Sequence, residues 1–249
     1  MLYSFHIFKN MQEIDIDFMK NSYEDKDVVL GYLHKNDVFS ESESNILLKY
    51  LNIDDSILDY WCGTWRVLNW LSKLWFNNLS WIDISYHMIQ SAKNELKNIR
   101  FIHWDVIEHD FKWEKFDKIL AIHSITPIPW KENRKEALNK LKEILKPGWI
   151  LIMSTFLRQY RRDWFWEEQE LIWSVWKQDA RYKDFWDVIF QHWDTEIFVH
   201  IPSIEEIDDM VRQSWFEIIE KIHWYKLIKE KDEASIESAQ RCHYWILKA

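Results

Sequence analysis

Between residues 56 and 155 short apolar runs alternate with amphipathic helical stretches, a rhythm that restricts the chain to a mostly parallel sheet with helices on both faces. The runs are ILDY (57–60), NLSWID (78–83), RFIH (100–103), KILAIH (118–123) and WILIMS (149–154). The stretches between them carry a buried stripe: Met88, Ile89, Ala92 and Leu96 behind a capping Ser85, then Leu138, Leu141, Ile144 and Leu145 before Pro147 stops the helix. Further on, Ser203 and Glu206 form a capping box for a helix with Ile204, Ile207, Met210 and Val211 inward. FEIIEKI and CHYWILKA then read as a closing pair of strands.

A chain of 249 residues can bury one good core, which fits a single α/β domain. Residues 1–55 read as helical segments able to cover a ligand site, and 56–155 as the core. Residues 156–200 are too long for a simple connection, so they are expected to form an inserted cap with helices of its own; 201–249 supply the last helix and the closing strands. Cys62 and Cys242 stand far apart and in no CxxC pair, which suggests neither disulfide framework nor zinc site. No apolar run approaches the roughly 20 residues needed to span a bilayer, and the N-terminal stretch lacks a basic leader, so the expectation is a cytoplasmic protein. A net charge of -9 argues against a broad electrostatic grip on nucleic acid.

The glycine and tryptophan counts do not belong together. An ordinary chain is about 7% glycine, yet only Gly31, Gly63 and Gly148 are present beside 18 tryptophans. Tryptophan also stands where turns want glycine: Trp149 follows Pro147 and Gly148, and Trp215 lies just past a helix end. Codons read as glycine in the source and translated as tryptophan, UGA above all, would produce this pattern. Deliberate glycine-to-tryptophan replacement and a truly tryptophan-rich protein are the alternatives. Trp61, Trp65, Trp81, Trp149 and Trp215 fit a glycine role first, then Trp75 and Trp104; Trp166, Trp173 and Trp245, in aromatic or aliphatic company, read as genuine.

The segment ILDYWCGTW places an acid at a strand end before a turn that opens a helix, so backbone can approach a ligand at the carboxyl edge of a sheet. With glycine at 61 and 65 it becomes ILDYGCGTG, which resembles motif I of class I S-adenosylmethionine (SAM) dependent methyltransferases. Order strengthens the likeness. Asp83 ends the second strand twenty residues after Gly63, where an acid takes ribose hydroxyls in cofactor-binding α/β folds. Asp105 follows the third strand in HWDV, FDKILAIHS matches the family's fourth strand, and LKPGW its LKPGG turn. The dinucleotide fingerprint G-x-G-x-x-G fits less well, and no G-K-[ST] phosphate loop exists.

The resemblance implies a Rossmann-like fold with a seven-stranded, mostly parallel sheet, SAM as cofactor, and no metal. It places the methionine end of SAM on Asp59 and the loop of Trp61, Cys62, Gly63, Thr64 and Trp65, the ribose on Asp83, and adenine among Ile84, Met88, Asp105 and Val106, with Ile122 nearby. Each acid also has a structural reading, as a satisfied strand end or turn cap, and Met88 as helix core. Indoles at 61 and 65 would fill space the cofactor needs, so the written chain is expected to bind SAM poorly. Methyl transfer needs in-line approach to the sulfonium methyl, with a base only if the nucleophile carries a proton.

His123, at the end of the fourth run, is the candidate base, although a lone histidine there is also an ordinary structural residue; His200 is the weaker candidate. Arg158, Tyr160, Arg161 and Arg162 could clamp an anion or form a solvated face. Three readings follow: a small-molecule methyltransferase; a tRNA wobble-uridine type methyltransferase, which ENRKEALNKLKEILKPGW and HYWILKA loosely resemble; and a noncatalytic scaffold of the same fold, if the tryptophans are real.

Overall fold

All five apolar runs of the core become strands, paired in parallel with one another as their alternation with helices predicts. The computed structural model describes residues 13–33, 41–61, 63, 65–96, 99–157, 181–184, 186–223 and 242–249. Among the described residues three helices come first, α1 (Ile16–Glu24), α2 (Lys26–Leu33) and α3 (Glu41–Tyr50). The core follows as β1 (Ile57–Tyr60), α4 (Arg66–Lys73), β2 (Leu79–Asp83), α5 (Tyr86–Glu95), β3 (Arg100–His103), β4 (Phe116–Ile122), α6 (Lys131–Ile144) and β5 (Leu145–Phe156). A hairpin of β6 (Asp187–His192) and β7 (Thr195–His200) precedes α7 (Ile204–Gln213), β8 (Glu217–His223) and β9 (Cys242–Lys248).

The main sheet has seven strands in the order β3-β2-β1-β4-β5-β9-β8. Pairing is parallel from β3 through β5, while β9 slots between β5 and β8 antiparallel to both. β1, β2 and β4 are buried along their whole length, as expected of strands covered by helices on both faces, whereas β3 at the edge is buried only in part. Ser85 caps α5 by accepting from the Met88 N–H, as its sequence predicts.

Several boundaries differ from the sequence reading. Leu145 leaves the stripe of α6 and begins β5, because its backbone is already extended (φ -78°, ψ 145°) two residues before Pro147. The fourth strand starts earlier, at Phe116, and stops at Ile122; His123 has φ of 58° and lies beyond it. The described end of the 156–200 insertion is a β-hairpin rather than helix, and residues 158–180 lie outside the described residues. Gly31 explains how the hairpin approaches α2: a Cβ there would meet the His192 ring at 2.6 Å. Only half of the expected capping box forms. Ser203 Oγ accepts from the Glu206 N–H, but the Glu206 carboxylate turns to His200 instead.

Backbone conformation singles out the tryptophans. Among the described residues eight non-glycine positions have positive φ, and six of them are Trp61, Trp65, Trp75, Trp130, Trp193 and Trp215. Such conformations cost a bulky residue about 1–3 kcal/mol each. At the end of α4 the Trp75 N–H donates to Ser72 O and the Phe76 N–H to Leu71 O; at the end of α7 the Trp215 N–H donates to Arg212 O and the Phe216 N–H to Val211 O. Both are Schellman caps whose left-handed residue is ordinarily glycine. Trp245 is different: fully buried on β9, it donates its indole N–H to Asp208 at 2.8 Å.

His200 braces the hairpin to the core. Its Nδ1 lies 2.9 Å from Asp187 of β6 and its Nε2 2.7 Å from Glu206 of α7, with Arg134 of α6 and Asp184 completing the charged neighbourhood. With both ring nitrogens against carboxylates, the ring is arranged as an imidazolium. Burial lowers its affinity for a proton, but the Asp187 and Glu206 carboxylates outweigh burial and hold its pKa above the usual 6.5. The folded state therefore binds this proton more tightly than the unfolded chain. That contribution to stability is complete below pH 6.5 and is lost as pH rises through the folded-state value. Urea titrations across this range are expected to show the loss in the parent chain and not in His200→Gln; equal slopes for both would refute it.

Candidate functional site

Strand order reverses between β1 and β4, so helices leaving the two sides of that junction diverge and open a crevice at the carboxyl edge of the sheet. The sequence candidates lie along this edge. Trp61, Gly63 and Trp65 follow β1, Asp83 ends β2, Asp105 and Val106 follow β3, and Ile122 with His123 closes β4. Cys62 and Thr64 lie outside the described residues, as do Arg158, Tyr160, Arg161 and Arg162.

Two cavities occupy the crevice. The smaller, with free space of only about 10 Å³, is walled by Ile84, Trp104, Asp105, Val106 and Ile107 on the β3 side. The larger, about 340 Å³, is walled by Tyr23, Arg66, Met88, Ile122, His123 and Phe156 among others. Trp61 and Asp83 belong to the walls of both. The proposed adenine neighbours are thus divided: Ile84, Asp105 and Val106 face the small cavity, and Met88 the large one. Asp59 is fully buried beneath them and contributes to neither wall.

Asp83 has the most telling environment. Its Oδ1 accepts from the Ser85 N–H at 2.8 Å, while Oδ2 is buried without a well-formed hydrogen bond. Burial, with Asp59 and Glu24 adding negative charge nearby, pushes its carboxyl well above the ordinary range, against the pull of the Ser85 and Gly63 backbone donors. A ligand hydroxyl donating to Oδ2 would satisfy an otherwise costly buried acceptor. Asp105 is also raised, chiefly by burial, and its Oδ1 accepts from the Ile107 N–H at 2.9 Å in a local turn.

On the other side of the crevice the His123 ring stacks on Phe156 with centroids 4.3 Å apart and planes at 11°. The residue partly faces the cavity, yet protein encloses its ring, and this burial lowers its pKa to about 4. Histidine here is neutral at physiological pH. Beside it, Arg66 forms two hydrogen bonds to Glu43 of α3 at 2.9 and 3.0 Å, tying the N-terminal helices to the start of α4. His200, the other histidine considered as a base, lies outside both cavity walls and reaches the site only through its backbone N–H, which donates to Thr126 O at 2.9 Å.

Some residues of the site carry no local sequence signal. Tyr23 and Tyr32 of α1 and α2 line the larger cavity, with the Tyr23 ring edge-on to Trp61 at 5.2 Å. Burial first, and the nearby Asp83 carboxylate among the smaller causes, raises the pKa of both phenols. Glu24, the last residue of α1, accepts from the Tyr86 and His87 N–H groups at 2.7 and 3.2 Å and so caps α5 from outside its own chain segment. Those donors hold its carboxyl below its usual range despite partial burial.

Residues 57–148 match the family described as a methyltransferase domain. A malonyl-[acyl-carrier protein] O-methyltransferase of Ilyobacter polytropus is 30% identical over 127 residues, which cover 48% of this chain and 45% of the relative. The chain therefore matches less than half the length of that curated relative. Among solved structures, a SAM-dependent methyltransferase from Methanosarcina mazei superposes with a TM-score of 0.63 at 20% identity, covering 82% of this chain and 96% of that one. The N-methyltransferase NodS from Bradyrhizobium japonicum, in complex with S-adenosyl-L-homocysteine, gives a TM-score of 0.53 at 11% identity, with 93% and 96% covered. The seven-stranded sheet with its helical layers is the Rossmann-like fold of these proteins. Among the described residues no helix is long and apolar enough to cross a membrane.

Because Glu24 supplies acceptors to the first turn of α5, Glu24→Ala is expected to cost about 1 kcal/mol of unfolding free energy. Urea denaturation checks this; an unchanged midpoint would remove the cap from the account of the site.

Proposed function

We propose that this chain, whose residues 57–148 form a methyltransferase domain within a class I SAM-dependent methyltransferase fold, transfers a methyl group from SAM to a small-molecule acceptor. The observation that carries the reading is Asp83: a buried carboxyl group with one oxygen that lacks a well-formed hydrogen bond, at the crevice where strand order reverses. Asp83 would accept from the ribose hydroxyls of the cofactor, Ile84, Asp105 and Val106 would border adenine, and Gly63, with φ of 67°, would let backbone approach the methionine end. SAM supplies an electrophilic methyl on sulfur. The residues on the β3 side fit that cofactor. Trp61 does not, because its indole walls both cavities and leaves only about 10 Å³ beside the adenine residues, far below the roughly 300–1,000 Å³ of small-molecule sites.

His123 constrains the acceptor. A pKa of about 4 makes it a weak base near neutral pH, where proton abstraction is best done by a group whose pKa lies near the working pH. The acceptor therefore arrives already deprotonated, as a carboxylate or a neutral amine, and His123 with its stacked Phe156 orients it. The curated relative is named for O-methylation of malonyl-[acyl-carrier protein], and a carboxylate acceptor would need no base. The tRNA reading has less behind it: its basic residues 158–162 lie outside the described residues, and the relatives compared with this chain are not named for tRNA.

Two measurements test the proposal, both in a chain with glycine at 61 and 65. Asp83→Ala is expected to weaken S-adenosylhomocysteine binding at least about tenfold by calorimetry, consistent with loss of the hydrogen-bonding partner of the ribose; unchanged affinity would refute its role. His123→Gln should leave that affinity intact while slowing transfer. The parent rate should show no His123 inflection between pH 6 and 8, because the ring stays neutral throughout and protonates only as pH falls through about 4. A rate that rises with pH through the usual histidine range, and loses that rise in His123→Gln, would make His123 a base instead.

A further inference from the structure

We infer that the functional form of this protein carries glycine at positions 61, 65, 75, 130, 193 and 215, and that glycine at 61 joins the two cavities into one cofactor trench. The claim about the trench rests on the SAM reading; the claim about the other turns does not.

Each of the six positions asks for glycine on separate geometric grounds. Trp75 and Trp215 hold the left-handed place in two Schellman caps, with φ of 69° and 60°. Trp193 is the first of two residues linking His192 to Thr195 in the β6–β7 hairpin, and its φ of 54° is that of a type II′ turn, which takes glycine there. Trp130 precedes α6 with φ of 65° and ψ of 140°, close to a region that only glycine visits freely, and its side chain makes no capping hydrogen bond. Trp61 and Trp65, at φ of 53° and 46°, flank Gly63 in the loop after β1.

Nothing in the packing compensates for these conformations at the turns. Trp75, Trp193 and Trp215 are 76%, 76% and 82% exposed, so their indoles neither fill a core nor lose water. Two tryptophans outside this set are held by specific contacts. Trp245 is buried and hydrogen-bonded to Asp208, and the Trp149 ring lies under the Lys118 ammonium at 4.4 Å. Neither Trp149, Trp81, Trp104 nor Trp245 is among the positive-φ residues. Positive φ therefore marks turn positions even where the indole packs, as at Trp65 in the core, Trp61 beside Tyr23 and Trp130 beside Phe198; it adds 130 and 193 to those the sequence marks and does not include 81, 104 or 149. A gene in which one codon is read as glycine in its own cell and as tryptophan by the standard code produces this distribution, since glycine turns would be converted together while true tryptophans remain.

Peptide sequencing of the protein purified from its own cells decides the inference directly: glycine is expected at all six positions, and tryptophan at them would overturn it. Recombinant full-length chains give an independent reading. Trp75→Gly, Trp193→Gly and Trp215→Gly together should raise the melting midpoint by roughly 5 °C or more, whereas Trp245→Gly should lower it; a triple variant no more stable than the parent would overturn the inference. Adding Trp61→Gly and Trp65→Gly should tighten S-adenosylhomocysteine binding by about a hundredfold or more, since a filled site becomes an open one. If native peptides carry glycine and the triple variant is stabilised, yet the glycine-restored chain still fails to bind S-adenosylhomocysteine, the glycine assignment stands and the SAM reading falls.

Discussion

The loop that leaves β1 has to turn back through positive φ at 61, 63 and 65 before α4 begins, and much of the site follows from that turn. It sits where strand order reverses, so the crevice between diverging helices opens directly above it. Backbone that turns this sharply can bring N–H groups to a ligand, provided that no side chain stands in the way. One of its three positive-φ places is glycine, and the other two carry the largest side chain available. The same turn that would receive a cofactor is thereby the place where the crevice is divided.

Around that turn the charges are arranged with few compensating cations. Asp59 and Asp83 are buried close together with Glu24 adjacent, and their mutual repulsion in a poorly solvated site adds to the burial that raises Asp83. A neutral ligand rich in hydroxyls suits such a place better than an anion does. Across the crevice the conditions differ, because Arg66 is held by Glu43 and His123 is kept neutral against Phe156. The β3 side thus suits a hydroxyl-bearing ligand, and the β4 side a smaller partner oriented by aromatic and neutral polar contacts.

The N-terminal helices and the hairpin enclose the site from outside the core. Glu24 fixes α1 to the start of α5, Arg66 and Glu43 fix α3 to the start of α4, and Ser22 Oγ donates to Glu196 O at 2.7 Å, fixing α1 to β7. The charged cluster of His200, Asp187, Glu206 and Arg134 then joins the hairpin to α6 and α7. The helix contacts link segments 23 to 174 residues apart in sequence, whereas His200 reaches partners only 6 and 13 residues away.

The sequence by itself determined the strands of the core, their parallel character and the placing of Asp83 at the end of its strand, with Asp105 and His123 just beyond theirs. These follow from periodicity and chain order, which act within a few residues and need no knowledge of distant segments. It also exposed the shortage of glycine, because composition is a local count. Tertiary structure alone decided that β9 enters between β5 and β8, that Tyr23 and Tyr32 wall the cavity, that Glu206 abandons its capping box for His200, and that Trp61 belongs to both cavities. Those outcomes depend on which surfaces meet after folding, and φ at each tryptophan depends on the turn it was made to close. A residue's type is written in the sequence, but whether its backbone can tolerate that type is settled only by the geometry of its neighbours.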